Sequence, residues 1–319
     1  MNLASGIIIV IGLILFEVIS SVDNAVVNAD VLATMSVRAR RWFLVYGIII
    51  AVFVVRGLLP LLIVYLSSPQ LGFLGALSAT FSSDPSVKEI IERQQPILLA
   101  GGGIYLVLVF LHWLFIEAKE YAFFIEEHIH KRLSFWFYTS SSILLLAVVW
   151  ITVNRNPLIA LGAVVGSTAF FMANGFKKNA EEKEKDLTKQ HLSDLSKILY
   201  LEVIDASFSI DGVLGAFAFT LSVPLIILGN GIGAFIVRYV TIHATKTVKK
   251  YRFLKNGAMY SIAILGCIML AESLQVHISS WFSPLITLII VSTFLWLSIK
   301  EIRKEETHRN KTKKFAHQK

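Results

Sequence analysis

Charge is scarce in this chain and cysteine almost absent: 16% of the 319 residues are charged, and Cys267 is the only thiol. One cysteine excludes an intrachain disulfide framework and any CxxC metal or redox motif. Soluble domains carry nearer a quarter charged residues, so this composition cannot furnish an ordinary water-facing shell. Also missing are a Gly-Lys-Ser/Thr phosphate loop, a cofactor fingerprint, a nucleophile placed beside a base and a soluble catalytic domain, which together argue against an enzyme and against any prosthetic group. What is abundant is apolar: 55% hydrophobic residues and a mean hydropathy of +0.67. The fold class that follows is an all-α, polytopic membrane protein.

A hydrocarbon core about 30 Å thick takes about 20 apolar helical residues. Nine stretches approach that, at 3–33, 42–66, 96–116, 135–153, 157–175, 196–221, 223–242, 256–275 and 281–299. Asn154-Arg155-Asn156-Pro157 and Ser222-Val223-Pro224 read as tight turns between antiparallel helices. Positive charge tests the map independently, because short cytoplasmic loops hold the excess of Lys and Arg. Of the 30 basic residues, 25 fall in the segments 34–41, 117–134, 176–197 and 243–255 and in the tail from Lys300. The alternate loops hold only Lys88, Arg93 and Arg155. An odd number of spans, with the amino terminus outside and the carboxyl terminus in the cytoplasm, satisfies this pattern. The first stretch lacks a basic leader and is interrupted by Glu17 and Asp23, so it reads as a span and not a cleavable signal peptide. The basic tail 301–319 reads as a solvated segment attracted to anionic headgroups, with no need for nucleic acid.

The chain also repeats itself. Glu17-Val-Ile-Ser-Ser21-Val-Asp23-Asn24 aligns with Asp205-Ala-Ser-Phe-Ser209-Ile-Asp211-Gly212. The next span of each half carries one arginine, Arg56 or Arg238. The span after that carries Gly102-x-x-Tyr105 then Glu117, or Gly257-x-x-Tyr260 then Glu272, at identical spacing. The copies start at the first and sixth spans, so they enter the membrane from opposite faces. This predicts two inverted-topology repeats, 1–133 and 196–300, joined by connector helices and a charged link over 134–195, all within a single transmembrane domain. In secondary transporters of this kind the site lies near the midplane, where the repeats meet.

The acids carry the functional argument. An Asp near a helix centre costs roughly 2.5–3.5 kcal/mol on the insertion scale, so Glu17, Asp23, Glu202, Asp205 and Asp211 together cost on the order of 15 kcal/mol. They must face the interior and be compensated. At about 100° per residue Glu17, Ser20, Ser21, Asn24 and Asn28 share a face, with Asp23 and Asp30 displaced. Glu202, Asp205, Ser209 and Gly212 likewise share one, with Ser207 and Asp211 displaced. Either each helix unwinds near Ser20–Ser21 and Ser207–Ser209, or its acids look into different parts of a cavity. Arg56 and Arg238 cannot neutralise five acids, and Glu117 and Glu272 would enlarge the deficit if close enough to join. The remaining acids must bind protons or cations. Carboxylates, the Asn24 amide and the hydroxyls of Ser21, Ser207 and Ser209 are hard oxygen donors, suited to Mg²⁺, Ca²⁺ or Mn²⁺ and not to copper or zinc.

Other patterns read blandly. Gly101-Gly-Gly103 and Gly229-Asn-Gly-Ile-Gly233 fit close helix packing, with Asn230 able to add a polar contact. His112 reads as a hydrogen-bonded packing residue, His128 and His130 as interfacial, and Cys267 as core filler. Segment 69–95 reads as an external loop with one short amphipathic helix, and Lys177 to Lys189 as a link with no further role.

At Glu17, Ser21-Val-Asp23-Asn24-Ala25 and Asp205-Ala-Ser-Phe208-Ser209-Ile-Asp211 the chain resembles the TerC family of membrane proteins, named for tellurium resistance, and more closely a TerC-like bacterial branch. The resemblance covers the two repeats, about two thirds of the chain. It implies a bacterial cytoplasmic membrane location and export of a divalent cation, with Mn²⁺ favoured. It also implies intramembrane metal-site acids at Glu17, Asp23, Asp205 and Asp211, with Asn24 beside them. Gly212 stands where the family usually has a serine, and the nine spans and the link 176–197 depart from the common layout. The site expected is therefore Glu17, Ser21, Asp23, Asn24, Glu202, Asp205, Ser209 and Asp211, with Arg56 and Arg238 compensating charge and Glu117 and Glu272 as secondary candidates. The partners expected are the bilayer, a divalent cation as substrate and anionic headgroups at the cytoplasmic face; a homo-oligomer stays open. Two other readings stand beside this one: an exporter of an amino acid or small organic cation, and a non-transporting scaffold that aids metal loading or assembly of other proteins.

Overall fold

The computed structural model describes residues 3–21, 31–32, 34–47, 85–117, 134–187, 193–243, 253–279 and 281–316, with isolated positions at 49–50, 52, 57–58, 61–62, 65, 72, 74–75, 77 and 251. Among the described residues nine α-helices follow one another: α1 (Leu3–Ser20), α2 (Val37–Trp42), α3 (Pro85–Phe115), α4 (Ser134–Val153), α5 (Pro157–Leu187), α6 (Asp194–Ala216), α7 (Val223–His243), α8 (Leu254–Ser273) and α9 (Phe282–Ala316). A π turn, Phe43–Gly47, continues α2, and no strand occurs among the described residues. Seven of these helices, α1, α3, α4, α5, α7, α8 and α9, contain stretches long and apolar enough to cross a membrane. α6 has the length, at 23 residues, but carries Lys197, Glu202, Asp205 and Asp211 along it. Parts of the expected second span, 42–66, lie outside the described residues, Arg56 among them.

Local chemistry explains the helix ends. Pro157 opens α5 where its missing N–H is harmless, and Asn156 caps that helix by accepting from the Leu158 N–H at 3.0 Å. Ser193 caps α6 and Ser36 caps α2 in the same way. Several elements overrun their sequence boundaries. Lys88 to Arg93 forms the first turns of α3 and not a separate amphipathic helix. The link after 175 stays helical to Leu187, and the tail is helical to Ala316. α1 ends at Ser20, with Ser21 in a turn, whereas α6 runs unbroken past Ser207 and Ser209. Local unwinding is thus absent from the second copy, and its acids look in different directions instead.

Glycine contacts give the direction of each helix pair. A Cβ added at Gly229 would meet Leu13, and one at Gly233 would meet Glu17, so α7 runs parallel to α1. Gly212 faces Glu17 and Gly215 faces Phe16, so α6 runs antiparallel to α1. Gly102 faces Met269 and Gly103 faces Gly266, while Glu117 at the far end of α3 reaches Lys255, so α3 and α8 are antiparallel. Gly101 lies against Gly162 and Gly166, and His112 against Asn174, which makes α3 and α5 parallel. The small-residue runs thus serve close helix packing, as their composition indicated. Segment 34–41 also meets the start of α6 through Ser36 and Asp194, at 2.5 Å, and the start of α8 meets α9 through Phe253 and Ser298. All these directions place residues 36, 117, 177, 194, 255 and 298 at one end of the bundle. That end collects the described parts of every lysine- and arginine-rich segment.

The core runs from Leu13 and Phe16 on α1 through Tyr105, Phe137 and Phe170 to Val213, Leu265 and Met269. The outer surface is equally apolar: Leu146, Phe176, Phe235 and Trp296 are exposed, and Trp150 is 77% exposed. Lipid tails solvate such side chains as well as other side chains do. Cys267 is exposed on the same outer surface and is not core filler.

Candidate functional site

Two layers of polar residues cross the bundle between α1, α3, α6 and α7. The layer nearer the basic end is built on Arg238. Its guanidinium grips Glu202 with two bonds, Nη1 to Oε1 and Nη2 to Oε2, each 3.0 Å. Nη2 also donates to Asp205 Oδ2 at 3.0 Å, and Nη1 to the Phe43 carbonyl at 2.9 Å. The Phe43 ring lies 4.3 Å beneath the guanidinium carbon, a stacking geometry that suits arginine. All three charged groups are buried. Gly47 leaves room for this cluster, because a Cβ there would collide with both Glu202 Oε1 and Arg238 Nη1. Glu202 and Asp205, expected as cation ligands, are therefore held by an arginine. Phe43 is a partner that sequence reasoning missed; an aromatic residue following a basic helix gives no signal of this role.

The second layer lies six residues of α6 beyond Asp205, about 9 Å along the helix axis, level with the middle of the apolar stretch of α3. Glu17 is 1% exposed and accepts from the Ser21 hydroxyl at 3.0 Å. Its Oε2 faces Gly212, where a Cβ would sit only 2.6 Å away. The missing side chain at Gly212 is thus space that Glu17 uses: a serine there would need the end of the Glu17 side chain to shift. Beside it, Asn230 is fully buried and donates from Nδ2 to the Gly212 carbonyl at 3.3 Å. On the other side of α6, Asp211 accepts from the Tyr105 phenol at 2.6 Å. Ser209 donates back to the Asp205 carbonyl at 2.7 Å, so its proton serves its own helix.

Glu117 stands apart, at the basic end of α3. It pairs with Lys255 at 2.8 Å, and its other oxygen lies 3.7 Å from His112 Nδ1. His112 Nε2 meets the Asn174 amide at 3.3 Å, and its ring packs edge-on against Phe137 and Phe170. The hydrogen-bonded packing role expected of His112 is what these contacts describe. Burial alone would raise the Glu117 carboxyl, but His112, Lys255 and Lys177 outweigh it and hold the group well below the usual carboxylate range. Glu272 is near the opposite end of α8, seventeen residues or roughly 25 Å from Lys255 along the axis, so the two secondary acids do not join one site.

Asp23, Asn24, Asn28, Asp30, Arg56, His128, His130 and the side chain of Ser207 lie outside the described residues. Among the described residues no three His, Cys, Asp or Glu side chains gather closely enough to hold a metal ion. The described portion of the site thus consists of Glu17 with Ser21, Asn230 around Gly212, and Asp211 with Tyr105.

No curated protein and no solved structure matches the chain. A family model described as a protein of unknown function (DUF475) matches residues 22–305. That match takes in α2 through α8 and most of α9, and the chain accordingly belongs to the DUF475 family.

Proposed function

We propose that this protein is a transporter of the bacterial cytoplasmic membrane that exports a divalent cation, Mn²⁺ being favoured, through a mid-membrane carboxylate site. The observation that carries this reading is the second layer: carboxylates from α1 and α6, the buried Glu17 and the half-buried Asp211, stand level with the middle of the apolar stretch of α3. Placing acids there is costly, and intramembrane acids mark ion and proton pathways. The oxygen-only donor set, with Asp23 and Asn24 as its expected completion, favours a hard cation. Arg238 limits repulsion among the acids when the ion is absent. Carboxylates that release the ion can take up protons in its place, which is the chemistry of a cation/proton exchanger.

The inverted-repeat reading draws support from α3 and α8, the third helices of the two copies, which lie antiparallel against each other as a two-fold axis in the membrane plane requires. Gathering of the basic segments at one end supports a cytoplasmic carboxyl terminus. The resemblance to the TerC family points the same way.

The test uses inverted membrane vesicles loaded with a metal-sensitive dye, comparing wild type with Glu17→Gln and Asp211→Asn. Uptake of Mn²⁺ by wild type and its loss in both variants is expected. Equal uptake by all three removes these carboxylates from the pathway. Amino-acid flux without metal dependence would favour the organic-solute reading. Loss of phenotype only on altering the basic loops would favour a scaffold.

A further inference from the structure

Asn230 is 0% exposed, and its carboxamide is half satisfied: Nδ2 donates to the Gly212 carbonyl, while Oδ1 has no hydrogen-bond partner. The amide cannot be turned round to repair this. A backbone carbonyl only accepts, so rotation would set Oδ1 against another oxygen. A buried acceptor left open costs about 1–3 kcal/mol, whereas an apolar side chain of similar shape in its place is close to neutral. Packing alone therefore gives no reason for asparagine in a run of glycines, where leucine would fill the space.

The residue that orients Asn230 is also the residue that faces Glu17, since a Cβ on Gly212 would lie 2.6 Å from Glu17 Oε2. Gly233, one turn along α7 from Asn230, packs on the same glutamate, where an added Cβ would lie 2.6 Å from Glu17 Cβ. The Asn230 carboxamide from α7 and the Glu17 carboxylate from α1 thus both approach the same glycine of α6. We propose that Asn230 Oδ1 is a ligand for the transported cation, acting with the Glu17 carboxylate at the junction of α1, α6 and α7. The assignment rests on the transport reading above and adds a ligand from α7, a helix that supplied only a countercharge before. A neutral amide oxygen coordinates the ion without adding to the repulsion among the acids, and as a hard donor it favours Mg²⁺, Ca²⁺ or Mn²⁺ over softer metals.

The full-length protein is purified in detergent for Mn²⁺-dependent thermal shift and reconstituted with an internal dye for Mn²⁺ flux, as wild type, Asn230→Leu and Glu17→Gln. The leucine variant is expected to melt at or above the wild-type temperature without metal, yet to lose about tenfold or more in apparent Mn²⁺ affinity. Unchanged Mn²⁺ affinity in Asn230→Leu, with loss in Glu17→Gln, overturns the assignment and leaves the transport reading standing. Wild type that neither binds nor moves Mn²⁺, Mg²⁺ or Ca²⁺ overturns both. If the leucine variant does not fold, Asn230→Asp decides the matter: the added ligand charge tightens Mn²⁺ binding several-fold, and an unchanged affinity counts against a ligand role.

Discussion

Arg238 illustrates how much a single buried cation organises here. It satisfies two carboxylates and a backbone carbonyl and stacks on Phe43. Removing it takes the Arg238 guanidinium away from two buried carboxylates, and breaking a buried pair from one side costs roughly 3–5 kcal/mol. Arg238→Met is expected to lose about that much in a denaturant titration in detergent micelles. Adding Glu202→Gln and Asp205→Asn to Arg238→Met should recover most of it, because the uncompensated charges go too. Arg238→Lys should fall between, since an ammonium cannot reproduce the forked contact with Glu202. A neutral result for Arg238→Met would mean that the two carboxylates do not depend on this arginine. The same reasoning separates the two polar layers: the first is closed by its arginine, and the second is held by hydroxyl, phenol and amide groups.

At the scale of helices, the glycine crossings set how closely α1, α3, α5 and α7 approach their neighbours. Gly166 on α5 meets the backbone of Gly101 on α3, whose Cα would lie 2.7 Å from an added Cβ. Backbone cannot swing aside as a side chain can, so Gly166→Ala is expected to cost about 1–3 kcal/mol by overpacking. Gly175 on the same helix has nothing within 4 Å of its Cβ position, and Gly175→Ala should gain up to about 1 kcal/mol from helix propensity. Thermal unfolding of the purified variants measures both, and the opposite signs within one helix are the diagnostic. Equal effects would place the α3–α5 crossing elsewhere. These crossings matter for function because Gly212, Gly229 and Gly233 bring α6 and α7 onto the helix that carries Glu17.

For the whole molecule, the alternation of helix directions puts the described basic segments at one end and the Asn154–Asn156 turn at the other. Cys267 is the only cysteine, so a Cys267→Ala background makes labelling unambiguous. Arg155→Cys in that background is expected to react with a membrane-impermeant maleimide in intact cells. Arg303→Cys is expected to react only after permeabilisation. The reverse pattern would invert the orientation, and labelling of both from one side would break the odd span count. The long helical extensions of α5 and α9 beyond their apolar stretches carry the lysines and arginines of that end, within reach of anionic headgroups.

The sequence by itself determined the all-helical membrane class, the antiparallel turns at Asn154–Pro157 and Ser222–Pro224, the collection of positive charge at one end and the identity of the costly acids. All of these follow from local composition: a lipid-spanning helix must be apolar along its length, and a charge within it is visible wherever it stands. Only the tertiary structure decided which acid meets which partner. Spacing put Glu202, Asp205 and Asp211 on one helix but could not divide them, since Arg238 takes the first two and Tyr105 the third through contacts across two other helices. It was equally silent on Gly212, whose missing side chain reads as a lost ligand in one dimension and as space for Glu17 in three. Helix extensions beyond residue 175 and into the tail were hidden for another reason: the hydropathy that marks a span ends there, while the backbone hydrogen bonds that define a helix do not.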